Sequence, residues 1–176
     1  MIQISNDLFY RKIERSDLVH RVEWINNPEI NSTLTFVTPV SLASTEKWFE
    51  STITDNSKLN LSFFLKENDE YIPLGFGGFI GIDRNNRRAE LFITIGNTTY
   101  QGRGLGKKIV TFLIRFGFSD LNLRKIYLTT LENNERAKKL YEACGFVQDG
   151  KLRQHFYHQG RYLDCYHMSL LRNDVE

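Results

Sequence analysis

A glycine-rich run, Gln101-Gly102-Arg103-Gly104-Leu105-Gly106, constrains this chain more than any other stretch of its sequence. It follows the strand-like segment 88–95 and opens a segment in which apolar residues recur with the 3.6-residue period of a helix. The apolar stripe of that helix comprises Leu105, Ile109, Phe112, Leu113 and Phe116. A glycine-rich entry into a helix brings unpaired backbone N–H groups and the positive end of the helix dipole to one point, which favours phosphate binding.

The residues of this run do not match the motifs of two commoner nucleotide-binding loops. A Walker A loop would require glycine at position 101 and serine or threonine at 108, where the chain has Gln101 and Lys108. A dinucleotide-binding fingerprint read from either of the first two glycines would require glycine at 107 or 109, where Lys107 and Ile109 stand. The run is therefore either a phosphate site of another kind or a helix start whose glycines only make a tight turn.

The rest of the chain predicts strands and helices on both sides of this run. The predicted strands are 8–13, 61–66, 71–82, 88–95, 125–131, 146–157 and 161–171, with a turn at Gln159-Gly160 between the last two. The predicted helices are 16–26 with Ser16 as its cap and Pro28 as its interruption, 42–53, one that begins at 105, and 134–144, which stops at Gly145. This order predicts an α+β fold, with a mixed, mostly antiparallel twisted sheet of about six or seven strands and about four helices on both faces.

Composition limits the number of domains and the classes of partner. With 176 residues, 41% of them hydrophobic and 13% aromatic, the chain can close one sizeable core, so residues 1–176 are expected to form a single domain. A formal net charge of +2 favours neither a nucleic-acid nor a membrane partner. The start has no basic, apolar leader, and no run of about 18 uncharged apolar residues occurs, so we expect a cytoplasmic protein.

The cysteines and histidines predict no metal site. Cys144 and Cys165 lack metal-type spacing and are expected to be reduced packing residues. His155 and His158 lie an odd number of positions apart in a predicted strand, so they face opposite sides of it. We therefore expect no metal cofactor.

A second motif lies downstream of the glycine run and reads Asn134-x-x-Ala137-x-x-Leu140-Tyr141-x-x-x-Gly145-Phe146. Together with Gln101-x-x-Gly104-x-Gly106, it resembles the pair of signatures of the GNAT acetyltransferase superfamily, whose fold has the same order of elements. The stretches 140–146 and 160–164 are most similar to the branch of spermidine, ribosomal-protein N-terminal and amino-sugar-nucleotide N-acetyltransferases. The resemblance implies an acyltransferase that uses acetyl-CoA as its cosubstrate.

The resemblance also implies roles for particular residues. The coenzyme A pyrophosphate would be held by Gln101, Gly102, Arg103, Gly104, Leu105 and Gly106, and Asn134 would be a further coenzyme contact. Tyr141 would protonate the leaving thiolate as a general acid. For Asn134 the alternative, or an additional role, is capping its own helix, and for Tyr141 the alternative is packing on the apolar face of that helix.

The strand before the glycine run is the expected place of the reacting thioester. A bulge or splay there would free the backbone N–H groups of Ile93, Thr94 or Ile95 for the thioester and its oxyanion. Glu90, with a pKa raised by its surroundings, would take the amine proton directly or through water. The alternative for Glu90 is an exposed strand residue paired with a neighbouring arginine, Arg87 or Arg88.

The acceptor amine is expected between the first two predicted helices, roughly residues 26–50, which wall the substrate groove in this fold. Residues 31–40 are hydroxyl-rich and apolar and carry no charge. A polyamine would need several carboxylates, whereas hydroxyl and amide groups beside Phe36 and Trp48 suit a sugar or a short peptide. The alternative for the two aromatic residues is core packing.

These observations predict direct acetyl transfer through a ternary complex to a primary amine. The expected acceptor is an amino-sugar nucleotide or a protein or peptide N-terminus. One alternative is a spermidine-type polyamine acceptor, and another is a non-catalytic acetyl-CoA-binding sensor or interaction module. The aromatic C-terminal hairpin also suggests a face for a second copy, so a homodimer is a further expectation.

Overall fold

The computed structural model describes residues 1–158 and 160–175, which form one eight-stranded sheet and five α-helices. The strands are β1 (Ile2–Gln3), β2 (Leu8–Lys12), β3 (Leu59–Glu67), β4 (Glu70–Asp83), β5 (Arg88–Ile95), β6 (Lys125–Leu131), β7 (Val147–His158) and β8 (Arg161–Leu171). The helices are α1 (Leu18–Asn26), α2 (Pro28–Asn31), α3 (Leu42–Ile53), α4 (Leu105–Ser119) and α5 (Glu135–Glu142). The predicted α+β class is confirmed.

The strands lie in the order β1-β2-β3-β4-β5-β6-β8-β7. Every neighbouring pair is antiparallel except β5 and β6, which are parallel because α4 carries the chain back across the sheet between them. The last strand, β8, lies between β6 and β7, so β7 is left at the edge. The prediction of a mixed, mostly antiparallel sheet is therefore confirmed.

The sheet and the helices each have one short member that the sequence pattern did not predict. The extra strand is β1, whose two residues pair with Tyr10 and Phe9 of β2 and are too few to show an alternating pattern. The extra helix is α2, a single turn that Pro28 opens after Asn27 caps it by accepting a hydrogen bond from the Glu29 N–H (2.9 Å). Pro28 thus ends one helix and begins another, as its fixed φ and missing N–H allow.

The main core lies between the sheet and α4. Phe63, Phe79 and Leu91 of the central strands pack with Ile109 and Leu113 of α4, and all five are at most 2% exposed. Burial of such a side chain contributes roughly 1.5–3 kcal/mol. Close packing also accounts for a glycine inside α4, since a Cβ on Gly117 would lie 2.8 Å from the Ile126 side chain. The central strands and α4 therefore form a rigid base for the elements that follow.

The predicted cap at Ser16 is wrong. Residues 15–17 form a 3-10 turn, and α1 begins at Leu18. Asp17 organises this turn, because its carboxylate accepts hydrogen bonds from the Arg11 guanidinium (2.7 and 2.8 Å) and from the Ser62 hydroxyl (2.7 Å). An acid that ties the turn to two strands overrides the local preference of serine for the cap position.

The C-terminal part follows the prediction with small shifts. Helix α5 starts one residue later and ends two residues earlier than expected, and Gly145 has φ +92°, the left-handed conformation predicted for the helix end. In the predicted turn between β7 and β8, Gly160 has φ +82°, and Gln159 lies outside the described residues.

Candidate active site

The floor of the site is a gap between β5 and β6. The two strands pair over Arg88–Glu90 and Lys125–Tyr127, and within the described residues no pairing between them continues beyond that point. On its other side, β5 remains paired with β4 as far as Ile95. Since β6 also runs on to Leu131, the two strands diverge and their backbone groups border an open cleft. The strand splay predicted from the sequence is therefore present.

Strand geometry decides which backbone N–H groups face this gap. Successive N–H groups point to alternate sides of a strand, and the Gly96 N–H donates to the Leu74 carbonyl on the β4 side (2.9 Å). The N–H groups of Ile93 and Ile95 therefore face the gap, whereas that of Thr94 faces β4. Of the three predicted donors, Thr94 reaches the cleft through its buried side chain only.

The glycine run begins the next wall of the cleft. Gly102 and Gly104 have φ +79° and +76°, and a Cβ on either would meet nothing within 4 Å. Glycine is required there by the left-handed backbone conformation, not by lack of space. The turn directs the chain into α4 at Leu105, as predicted.

The start of α4 carries unpaired N–H groups. Gly104 has no side chain that could cap the helix, and the Lys108 N–H, which donates to the Gly104 carbonyl (3.2 Å), makes the first helical hydrogen bond. The N–H groups of Leu105, Gly106 and Lys107 therefore have no partner inside the helix. With the positive end of the helix dipole, they form a site suited to phosphate oxygens.

Gln101 ties this loop to the strand and to the following helix. Its side-chain amide donates to the Ile95 carbonyl (3.1 Å), and its oxygen accepts a hydrogen bond from the Arg136 guanidinium (2.6 Å). Arg136 lies in the first turn of α5 and lines the cleft. It is a site residue that the sequence analysis missed, although its place two residues after Asn134 in the second motif was a usable signal.

The basic side chains near the loop do not all face the cleft. Lys107 lines the cleft. Arg103 does not; its guanidinium lies over the Tyr100 ring (4.7 Å to the centroid) and 4.0 Å from the Glu67 carboxylate. Lys108 faces Asp7 at 3.6 Å. Arg103 is thus the predicted coenzyme residue that the structure does not place at the wall of the cleft.

The second motif adds Tyr141 and Asn134 to the wall of the cleft. Tyr141 is 7% exposed, packs edge-on to Phe146 and also lines the cleft, so it serves the core and borders the site at once. Burial raises the pKa of the Tyr141 phenol well above its usual value, and the nearby Cys144 adds to this, so the phenol keeps its proton at neutral pH. Asn134 caps α5 by accepting a hydrogen bond from the Ala137 N–H (3.1 Å) and lines the cleft as well.

Glu90 lies at the closed end of the splay, half-buried and facing the cleft. Desolvation by burial raises the pKa of the Glu90 carboxyl, and His167 opposes that rise. The alternative role for Glu90, pairing with a neighbouring arginine, is not observed: Arg88 lies 3.6 Å from Asp83, and the Arg87 guanidinium donates to Asn122. The carboxyl is therefore closer to proton exchange at neutral pH than an ordinary surface glutamate.

These features border one cleft of about 920 Å³. The predicted site residues on its wall are Glu90, Ile93, Thr94, Ile95, Gln101, Gly102, Gly104, Leu105, Gly106, Asn134 and Tyr141. The structure thus brings together the ends of β5 and β6, the start of α4 and the start of α5. A cleft of this size holds a long flexible ligand together with a second small one.

The far end of the cleft is formed by the region predicted as the acceptor wall. Phe36 and Trp48 both line it, together with threonine side chains from the segment between α2 and α3. Charged residues at this end are Glu29, Lys58 and Arg21. Arg21, from α1, was not predicted as a site residue.

The structure also bears on metals and membranes. Among residues 1–158 and 160–175, no group of three or more His, Cys, Asp or Glu side chains is placed to hold a metal ion. Within the same ranges, no helix is both long enough and apolar enough to cross a membrane. Cys165 is buried and Cys144 is half-buried, as expected for packing residues.

Comparison with known proteins gives a consistent result. The acetyltransferase (GNAT) domain family matches residues 7–147. The spermidine N(1)-acetyltransferase of Vibrio cholerae is 33% identical over 173 residues, 97% of this chain and 96% of that protein. An uncharacterized N-acetyltransferase, p20, of Bacillus licheniformis is 32% identical over 95% of this chain and 94% of that protein. The crystal structure of the Vibrio cholerae spermidine N-acetyltransferase with CoA and spermine superposes with a TM-score of 0.84 at 31% identity, covering 98% of this chain and all of that one.

Proposed function

The chain belongs to the GNAT acetyltransferase family and is an acetyl-CoA-dependent N-acetyltransferase; we propose that it transfers the acetyl group directly, in a ternary complex, to the primary amine of a small molecule. The observation that carries this proposal is the cleft itself. It places the helix start with its unpaired N–H groups, the splayed end of β5 and the two proton-transfer candidates on one continuous wall.

The coenzyme end fits the chemistry of acetyl-CoA. The N–H groups at the start of α4 and in the glycine run would bind the pyrophosphate. The N–H groups of Ile93 and Ile95, at the splay, would hold the thioester and donate to its carbonyl oxygen as negative charge develops there. These groups belong to the backbone of a strand and a helix, so they are fixed before the ligand arrives.

Two side chains would move the protons. Glu90 would accept a proton from the ammonium group of the acceptor, through water, which leaves a neutral amine to attack the thioester carbonyl carbon. As the carbon–sulfur bond breaks, Tyr141 would give its phenolic proton to the departing thiolate, and the proton that the new amide nitrogen loses would restore the phenol. Burial that raises the pKa of Glu90 makes its carboxylate a stronger base, and burial that raises the pKa of Tyr141 keeps the phenol protonated until the thiolate departs.

The acceptor class is a separate question with two candidates. The comparisons favour the alternative acceptor, a spermidine-type polyamine, and the expectation of an amino-sugar nucleotide or a protein N-terminus is not supported by them. The carboxylates of Glu29 and Glu90 in the cleft are compatible with a polyamine. A second candidate is an amine that also carries an anion, because a buried arginine, Arg21, borders the same groove.

An amine panel tests the proposed function. Spermidine, putrescine, amino acids and phosphorylated amines are offered with acetyl-CoA, and the free thiol of released CoA is measured. Thiol release that depends on one of these amines is the expected result. If no amine raises thiol release above the level measured without amine, the proposal is contradicted.

A further inference from the structure

Arg21 occupies an unusual position at the acceptor end of the cleft. It lies on α1 and is 6% exposed. Its guanidinium carbon lies 4.0 Å from the ring centroid of Trp48 and 4.2 Å from that of Phe76, with Phe36 at 5.5 Å. Aromatic faces hold the cation in place and satisfy part of its charge, but they accept no conventional hydrogen bond from its edge.

The charge of Arg21 lacks an anionic partner. Its Nη1 is fully buried without a hydrogen-bond acceptor, and within residues 1–158 and 160–175 no carboxylate oxygen lies within 4.0 Å of its guanidinium. Asp17, one helical turn earlier, is engaged by Arg11 and Ser62 instead. Desolvation lowers the pKa of Arg21 to about 10, so it remains charged at neutral pH. A buried, charged donor without an acceptor is costly unless a ligand supplies one.

The surroundings show from which side such a ligand would come. Phe36, the most exposed of the three rings, lies on the irregular segment between α2 and α3 and lines the cleft together with Arg21. Lys58, also on the wall, adds positive charge there, although Asp55 lies 3.0 Å from its ammonium. Glu29, Glu90 and Glu135 are the acids on the wall of the same cleft, and within the part of the chain that the structure describes none of them forms an ion pair with Arg21.

On the premise that the chain acetylates a small amine, we propose that Arg21 binds an oxyanion of the acceptor, a carboxylate or a phosphate. The planar guanidinium edge matches either group with two parallel hydrogen bonds. A polyamine offers no oxyanion, and an ammonium group placed beside Arg21 would be repelled. The acceptor is therefore an amine that carries an anionic group at its other end.

Matched pairs of amines test this directly. Putrescine is compared with γ-aminobutyrate, in which a carboxylate replaces one aminomethyl group, and ethanolamine with phosphoethanolamine. In at least one pair, the anionic member is expected to have the higher kcat/KM, and the pair in which this occurs distinguishes a carboxylate from a phosphate. Preference for putrescine and spermidine over every anionic amine would overturn the inference and leave the acetyltransferase activity standing.

Substitution of Arg21 ties the preference to this residue. Arg21→Met keeps a long side chain between the rings and removes the charge, so kcat/KM for the anionic amine is expected to fall about 10- to 100-fold through KM, the range for a lost charged hydrogen bond. The KM for acetyl-CoA should stay within about twofold, and the kcat/KM for the neutral or cationic partner amine should not fall, because Arg21→Met removes a charge that repels an ammonium group. Arg15→Met is the matched control, because Arg15 also lies over a ring, that of Phe49, but does not line the cleft.

Thermal melting separates a ligand-binding role from a packing role. Without ligand, Arg21→Met should melt at the same or a higher temperature than the parent, because an uncompensated buried charge has been removed. The anionic amine should raise the melting temperature of the parent and not that of the variant, a readout that holds even if no amine is turned over. An equal shift in both proteins, or equal loss of activity with both members of each amine pair, would overturn the proposal.

If Arg21→Met fails to fold, Arg21→Lys is measured in its place. Arg21→Lys keeps the charge but not the planar guanidinium, and the same loss of preference for the anionic amine is expected.

Discussion

At the proposed coenzyme end of the cleft, the groups that would face the ligand are backbone amides on a strand and a helix. At the proposed acceptor end, they are side chains from α1, α3 and the irregular segment between α2 and α3. The first set is fixed by φ angles at Gly102 and Gly104 and by the register of β5. The second depends on how Arg21, Trp48 and Phe36 pack. Backbone sites keep their geometry when surface residues change, whereas side-chain sites change with single substitutions. The two ends should therefore respond differently to mutation.

The largest effect is expected where the two ends meet, at Tyr141. Tyr141→Phe removes only the phenolic proton donor, so kcat should fall about 100-fold or more while the Kd for CoA stays within about twofold. Steady-state kinetics and calorimetric CoA titration measure the two quantities. Tyr166→Phe is the control, since Tyr166 lies over Lys138 and does not line the cleft. Equal kcat values for Tyr141→Phe and the parent would remove Tyr141 from the acid role.

Glu90→Gln should lower kcat/KM roughly 10- to 100-fold, the usual size of a general-base contribution. In the parent, the rate should fall as the pH drops through the raised pKa of Glu90, and this acidic limb should be absent in the variant. Since the native state holds this proton more tightly than the unfolded chain does, the variant should gain stability at neutral pH and none at acid pH. Glu70→Gln, on the exposed start of β4, is the control. If the pH–rate profile of Glu90→Gln keeps the same acidic limb as the parent, another group is the general base.

Gly104→Ala probes the backbone site alone. A side chain at φ +76° costs about 1 kcal/mol, so the Kd for CoA should weaken about five- to tenfold, with little change in acceptor KM. Gly150→Ala is the matched control, because a Cβ there also meets nothing within 4 Å and no positive φ is involved. Equal effects of the two substitutions on CoA binding would show that the left-handed conformation is not what the loop requires.

The smallest effect is expected at Phe36. Phe36→Ala removes the most exposed ring beside Arg21, so the acceptor KM should change about threefold and the KM for acetyl-CoA should not change. Kinetics with each substrate varied in turn make this measurement. Val37→Ala, at a neighbouring side chain that is 90% exposed, is the control. A change in the KM for acetyl-CoA of the same size would remove the distinction between the two ends.

The geometry of the proposed coenzyme end could be predicted from the sequence because its requirements are local. The sequence shows the glycines that a left-handed backbone needs. It also shows the motif spacing that puts Asn134 and Tyr141 on one side of a helix. The exception is Arg103, whose position follows from Tyr100 and Glu67, a residue from a distant strand. Long-range packing of this kind leaves no periodic signal.

The acceptor end could be predicted only in outline. Phe36 and Trp48 were placed at the wall correctly, but Arg21 was missed although it stands three residues after Leu18 and four before Ile25, both buried on the inner side of α1. The environment of its guanidinium depends on Trp48 and Phe76, which belong to a helix and a strand far away in sequence. The same limit explains Ser16, whose capping position was taken by a turn that Asp17 ties to two strands.

The position of β8 between β6 and β7 has a consequence for how the protein is made. A ribosome delivers β6 and β7 before β8, yet β7 has no place in the sheet until β8 has paired along β6. Until then the nascent chain exposes the free edge of β6, the strand that borders the cleft, to other chains. A chain that ends near residue 160 would lack the strand that covers this edge, and we expect it to aggregate more readily than the full chain.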